Sequence, residues 1–174
     1  MSGEALPSRW GDGVVPSYDA IAEQYAEQYF DELDGKSFDR DVLDRFAATV
    51  KDHGCVCDLG CGPGQIARYL AVHVVAFYCL IHCARGELGR AVVEIHRVLM
   101  PGGRLLMAVH AGAGEVARDE AYGKRVALVA TLFSKDEVCA ALTTAGFRVD
   151  ELVTREPYPF EYPSRRIYAT AARA

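Results

Sequence analysis

Three nearly all-apolar runs constrain this chain more than any other feature: CVCDLG at 55–60, VHVVAFYCLIH at 72–82 and GRLLMAVH at 103–110. Strands that read this way are covered on both faces, as in parallel sheets whose crossovers are helices. Helical candidates lie between them at Gln65 to Ala71 and Glu87 to Leu99, the second closed by Pro101, Gly102 and Gly103. Strand and helix in alternation predict an α/β fold around a parallel sheet.

The flanks add to this frame. SYDAIAEQYAEQYFDEL opens on Ser17 as a helix cap, and Tyr18, Ile21, Ala22, Tyr25, Ala26 and Tyr29 recur at helical spacing. A second helix is predicted from about Asp39 to Lys51. SKDEVCAALTTAG reads as a helix with a capping box between Ser134 and Glu137 and a stop at Gly146. FRVDELVTRE and RRIYATAA read as strands, and the short PYPFEYPS between them suits an antiparallel pair. Residues 1–16, rich in Gly, Pro and Ser, are expected to form a flexible arm. Residues 17–174 are expected to form one domain, since 174 residues at 51% hydrophobic suffice for a single core. No internal repeat or low-complexity tract is present.

Composition excludes several functions. A net charge of −5 and a pI near 5.5 argue against a broad basic face for nucleic acid. The first residues carry neither a basic n-region nor an apolar h-region, and no stretch approaches the roughly 18 apolar residues of a membrane helix, so a cytoplasmic location without membrane contact is expected. The six cysteines sit mostly in apolar runs, where Cys behaves as a small hydrophobe, which predicts reduced thiols. Cys55, Cys57 and Cys61 lack the second pair or spaced histidines of a structural zinc site, so no metal is expected.

The first apolar run leads into DLGCGPG, where Gly60, Gly62 and Gly64 allow a tight turn and close approach of backbone to a ligand. A helix beginning after the turn would direct free N–H groups at that ligand. The same glycines also suit a plain strand-to-helix turn, and dinucleotide folds use similar ones. A nicotinamide oxidoreductase would carry an acid about 20 residues further on; residue 78 is a tyrosine.

Aspartate and glycines in D-x-G-x-G-x-G after a strand resemble motif I of the class I S-adenosylmethionine (SAM) dependent methyltransferases. Upstream, YDAIAEQY resembles their N-terminal lid helix. FYCLIH and RGELGRAVVEIHRVLMPGGRLLMAVH are similar to the family's fourth strand, following helix and fifth strand, and TLFSKDEVCAALTTAGFRV to the segment leading into the sixth. The resemblance runs from Tyr18 onward and implies a Rossmann-like sheet with helices on both faces, SAM as cofactor and a small-molecule methyl acceptor. It implies that Asp58, Gly60, Cys61 and Gly62 line the methionine part of SAM, with Tyr18 and Tyr25 closing over it. A tyrosine stripe of this spacing is equally consistent with a core-facing helix.

Ligands of parallel α/β folds sit beyond the carboxyl ends of the strands. That rule selects Tyr78, His82 and His110 as candidate catalytic residues, with histidine in the pKa range of a base for a hydroxyl or amine acceptor. A structural hydrogen bond or a solvated loop is the simpler expectation for each histidine taken singly. Arg155, Arg165 and Arg166 could meet an acidic substrate, although solvated strand edges are the simpler expectation.

The family pattern breaks after motif I. The chain passes from QIARYLA directly to VHVVAFYCLIH, and at about 30 residues per βαβ unit some 40 to 60 residues are missing. The sheet is therefore expected to be truncated, with about five strands, lacking the second and third. No acidic residue occurs between Asp58 and Glu87, so the ribose-binding acid has no counterpart and SAM binding is expected to be impaired. The short connection requires the helix to change face, the crossover to be left-handed or the sheet to be rearranged. It also exposes the outer edge of the first strand, which suits a homodimer. The alternative expectation is a shortened, non-catalytic relative or trimmed derivative that dimerises through that edge.

Overall fold

The computed structural model describes residues 13–50, 57–70 and 75–173. The helices are α1 (Val14–Tyr29), α2 (Ser37–Val50), α3 (Gln65–Leu70), α4 (Leu88–Val98) and α5 (Lys135–Thr144). The strands are β1 (Val75–Phe77), β2 (Arg104–Ala111), β3 (Glu115–Ala121), β4 (Lys124–Thr131), β5 (Phe147–Arg155) and β6 (Arg165–Arg173).

The main sheet runs β1-β2-β6-β5. β1 lies parallel to β2, with Val75 opposite Leu106, and β6 is antiparallel to both β2 and β5. Beyond β1, Asp58 forms a parallel bridge with Val75. The Leu59 amide donates to the Val75 carbonyl and the Val75 amide to the Cys57 carbonyl, both at 2.9 Å. Residues 57–59 thus take the next position in the sheet, and 51–56 lie outside the described residues. The predicted antiparallel pairing of the last two strands holds.

Strand alternation divides the core. Leu105, Met107 and Val109 of β2 pack with Leu88, Val92 and Ile95 of α4 and with Val138 and Leu142 of α5. Leu106 and Ala108 face the other way, onto Val42, Leu43, Phe46 and Val50 of α2 and Ile66 of α3. All five β2 side chains are buried, as the unbroken apolar run required.

Helix α3 shares the face of α2, while α4 covers the opposite face. Both helices connect parallel segments that step the same way across the sheet, from Asp58 to β1 and from β1 to β2. Two such crossovers on opposite faces have opposite hands, so one of them breaks the right-handed rule.

The N-terminal helix begins at Val14, inside the stretch expected to be a loose arm; residues 1–12 lie outside the described residues. Pro16 is accommodated in the first turn, where its missing N–H costs nothing. Ser17 is not the cap: Gly13 holds that position, and the Ser17 hydroxyl donates to the Gly13 carbonyl while accepting the Ala127 amide at 2.7 Å. The capping box of α5 is present as read, with Ser134 Oγ accepting from the Glu137 amide and Glu137 Oε2 from the Ser134 amide.

Strands β3 and β4 form a separate hairpin that the sequence reading did not foresee. Tyr122 (φ 53°) and Gly123 (φ 71°) make its two-residue turn, both in the left-handed region that a type I′ turn needs. The hairpin lies on α1. Lys124 Nζ donates to the Ala20 carbonyl and, at 3.2 Å, to Gln24, and the Tyr122 hydroxyl donates to Gln28.

Candidate functional site

A cavity of about 1310 Å³ opens between the carboxyl ends of β1 and β2, the glycine turn, α1 and the hairpin. All the sequence-predicted site residues line it: Asp58, Gly60, Cys61, Gly62, Tyr18, Tyr25, Tyr78, His82 and His110. The tyrosine stripe of α1 therefore faces a cavity. Only Ser17 and Ile21 of that helix are buried in the core sense.

Gly60 has φ 67°, and a Cβ on it would lie 2.5 Å from Cβ of Cys79, which follows the carboxyl end of β1. Only glycine fits there, both for its backbone angle and for the approach of the neighbouring strand. On the other side, the Tyr25 ring stands 3.6 Å from where a Cβ on Gly62 would be. Tyr18 and Tyr25 meet edge to face at 5.2 Å, and Tyr25 meets Tyr29 at 4.5 Å. Burial pushes the Cys79 thiol up to about 12, so it stays protonated. Beneath the turn, Gln65 donates to Glu32 at 3.0 Å, and its buried Oε1 has no hydrogen-bond partner among the described residues.

His82 ends a 3₁₀ turn, Leu80–His82. Its Nδ1 lies 2.7 Å from the Val129 carbonyl, which can only accept, so Nδ1 carries the proton and Nε2 is left as an acceptor. The Tyr18 hydroxyl donates to that Nε2 at 3.0 Å. Burial lowers the pKa of His82 and keeps the imidazole neutral. Lid tyrosine and histidine are thus one unit, held from behind by the hairpin.

His110 is built differently. Its Nδ1 contacts Ser164 Oγ at 2.7 Å, and its ring lies between Tyr78 (5.4 Å) and Tyr162 (5.9 Å). Burial, and then the Arg166 charge, push its pKa down to about 4. That suits a neutral binding group better than a base.

Tyr78 adopts φ 57°, a strained conformation for a tyrosine, with its amide on the Ala108 carbonyl at 2.9 Å. Its hydroxyl lies 3.0 Å from that of Tyr168. Tyr168 spends its own proton on Asp39 Oδ1 at 2.8 Å, so Tyr78 is the donor in this pair. Burial raises the Tyr78 phenol, and the residue presents a ring face to the cavity, not a phenolate.

Under that floor lies a buried charge network. Arg155 donates to Tyr168 at 3.0 Å, to Asp39 Oδ2 at 2.8 Å and to both Glu161 oxygens at 2.6 and 2.9 Å. Lys36 bridges Glu161 (3.1 Å) and Glu32 (2.7 Å), and Arg166 stands 3.5 Å from Glu161. Three cations thus balance three carboxylates. Burial tends to raise the Glu161 carboxyl, but Arg155, the Tyr158 amide and Lys36 hold it down at about 2. This corrects the reading of the arginines as solvated: Arg166 is buried, the Arg155 side chain is 8% exposed, and only Arg165 of the three is exposed.

Comparison with solved structures identifies the fold. A Burkholderia thailandensis 1,6-didemethyltoxoflavin-N1-methyltransferase, solved with 1,6-didemethyltoxoflavin and S-adenosylhomocysteine, superposes with a TM-score of 0.64 at 18% identity, over 92% of this chain and 88% of that one. The chain has the class I SAM-dependent methyltransferase fold. DhpI in its SAH complex matches with a TM-score of 0.58 at 16% identity, over 92% of this chain and 97% of that one. A SAM-dependent methyltransferase of Methanosarcina mazei matches at 0.50 and 17% identity, the shared part spanning 57% of each chain. No family model matches the sequence, and no curated protein is detectably similar to it. Among the described residues the strand count is reduced within this methyltransferase fold. Among the described residues, no helix is long and apolar enough to cross a membrane.

Proposed function

We propose that the chain is a SAM-dependent methyltransferase acting on a small molecule, with weakened SAM binding. The observation that carries this is convergence. The glycine turn, the lid tyrosines and both histidines, scattered from residue 18 to residue 110, line one cavity at the carboxyl ends of parallel strands. The turn suits the methionine end of SAM, since Gly60 and Gly62 bring backbone without side chains to the cavity. SAM supplies a methyl on a positively charged sulfur, transferred by in-line displacement that leaves a neutral thioether.

The chain's own residues do the rest. Helix α1 and the hairpin close over the cavity and exclude water, and much of the rate comes from holding the acceptor aligned. An acceptor O–H or N–H gives its proton to the Tyr18 oxygen while the Tyr18 proton moves to His82 Nε2. The Val129 carbonyl braces the imidazolium so formed. His110 and Tyr78 hold the acceptor in place.

The alternative is a shortened, non-catalytic relative that dimerises through the edge of its first strand. It is favoured by the absence of an acid between Asp58 and Glu87, where two charge-assisted hydrogen bonds to ribose would each contribute roughly 1.5 to 3 kcal/mol. Calorimetric titration with S-adenosylhomocysteine separates the two. Saturable binding that disappears in Gly60→Val supports the enzyme, and no heat at millimolar ligand from a cooperatively folded protein supports the alternative.

A further inference from the structure

The acceptor for His82 Nδ1, the Val129 carbonyl, belongs to the β3–β4 hairpin and not to the main sheet. A two-stranded hairpin is marginally stable by itself in water, so its place over the cavity is set by what ties it down. Helix α1 holds the part nearer the tip, with Ser17 Oγ on the Ala127 amide and Lys124 on the Ala20 carbonyl. The base is held by the segment that contains and follows His82.

Three polar ties run in step between residues 82–85 and residues 129–132. His82 Nδ1 meets the Val129 carbonyl, Thr131 Oγ1 donates to the Cys83 carbonyl, and Arg85 Nη2 donates to the Leu132 carbonyl, each at 2.7 Å. The same Nη2 reaches the Gly114 carbonyl, on the other foot of the hairpin, at 3.2 Å. Arg85 Nη1 donates to Glu137 Oε1, while the second oxygen of that carboxylate accepts the Ser134 amide in the capping box of α5. The guanidinium also lies 5.6 Å from the centroid of the buried Phe133 ring. One planar fork thus joins both feet of the hairpin and the start of α5 to the chain just beyond His82.

Which nitrogen of a neutral histidine carries the proton is set by the hydrogen bond the ring makes. If β4 slides or lifts, Nδ1 loses its acceptor and the proton is free to sit on Nε2, where it blocks transfer from Tyr18. We infer that Arg85 is a positioning residue: by pinning both feet of the hairpin beside His82 it keeps the Val129 carbonyl on Nδ1, and so keeps Nε2 as the acceptor for the Tyr18 proton. The importance of this for catalysis rests on the proposed function, but the effect on His82 is measurable without any ligand.

The test is the long-range ¹H–¹⁵N spectrum of His82 in the full chain at neutral pH, which reports the protonated nitrogen. Wild-type protein should show Nδ1–H. In Arg85→Met, which keeps an aliphatic stem on Phe133 and removes the donors, the ratio of Nδ1–H to Nε2–H should fall about five- to tenfold, the factor for one lost hydrogen bond. Arg85→Lys keeps the charge toward Glu137 without the fork and should lie between the two. Val42→Ala, buried in α2 on the opposite face of the sheet, lowers stability without touching the hairpin and should leave the ratio as in wild type. A further readout needs no variant to fold: in wild-type protein Nη1 and Nη2 of Arg85, held by different partners, should give separate ¹⁵N signals. A single averaged Nη signal, an unchanged His82 spectrum in Arg85→Met, or an equal change in Val42→Ala would overturn the inference. Titrating wild type and Arg85→Met with S-adenosylhomocysteine keeps the two readings apart. No binding to wild type, with the tautomer shift present, sinks the methyltransferase proposal alone. Binding to wild type with an unmoved tautomer in Arg85→Met sinks only the role of Arg85.

Discussion

Asp39→Asn tests whether the charge network under the cavity holds the fold together. Asp39 is 1% exposed and accepts two hydrogen bonds of 2.8 Å, from the Tyr168 hydroxyl and from Arg155. An asparagine keeps the shape but turns one acceptor into a donor, so either Tyr168 or Arg155 faces an NH₂ group. It also leaves the network with one uncompensated cation. Removing one partner of a buried pair costs about 3 to 5 kcal/mol, and because one acceptor survives the lower end applies, about 3 kcal/mol. For a chain of this size that corresponds to a fall in Tm of about 6 to 12 °C. Urea denaturation followed by circular dichroism at neutral pH gives the value, with Arg155→Met in the same background to show that the two losses are coupled. A loss below about 1 kcal/mol, or full additivity of the two substitutions, would refute the reasoning.

Three further outcomes follow from the geometry. Glu161, ordinarily near 4.5 and held here at about 2, contributes stability that is present above pH 4.5 and lost as pH falls toward 2. Glu161→Gln should flatten the acid limb of a stability–pH profile in that window, and an unchanged profile would contradict the network. In an NMR titration His110 should remain neutral down to about pH 4 and His82 should show the Nδ1–H tautomer with a midpoint below 6.5; either ring titrating above 6.5 contradicts its described surroundings. Gly123→Val, at φ 71°, should destabilise the chain by about 1 to 2 kcal/mol and loosen amide protection in the hairpin and in α1, but not in α5.

Much of this architecture was legible in the chain because it follows local rules. The unbroken apolar run at 103–110 marked β2, while the run at 72–82 holds only the short β1, Val75–Phe77, before a 3₁₀ turn at Leu80–His82. The Ser134 and Glu137 pair marked the start of α5, and the rule that ligands lie at strand carboxyl ends chose residues that do share one cavity. The hairpin escaped because β3, EVARDEA, is polar and mostly exposed and carries no period-two apolar signal; Tyr122-Gly123 was its one mark in the sequence. Ser17 was misplaced as a cap because its partner, Ala127, lies 110 residues away. The charge network was invisible for the same reason. No local pattern marks Asp39, Arg155 or Glu161 as covered, and only tertiary folding brings them together in pairs. The hand of the short crossover depends on which face α3 takes, which no local pattern encodes.

Amide hydrogen exchange with and without S-adenosylhomocysteine tests the central claim most directly, because it reports where the ligand sits as well as whether it binds. Binding in the cavity predicts added protection at the turn around Gly60 to Gly64, in α1 and in the hairpin, with α4 and α5 unchanged. Protection elsewhere, or none at saturating ligand, would contradict it.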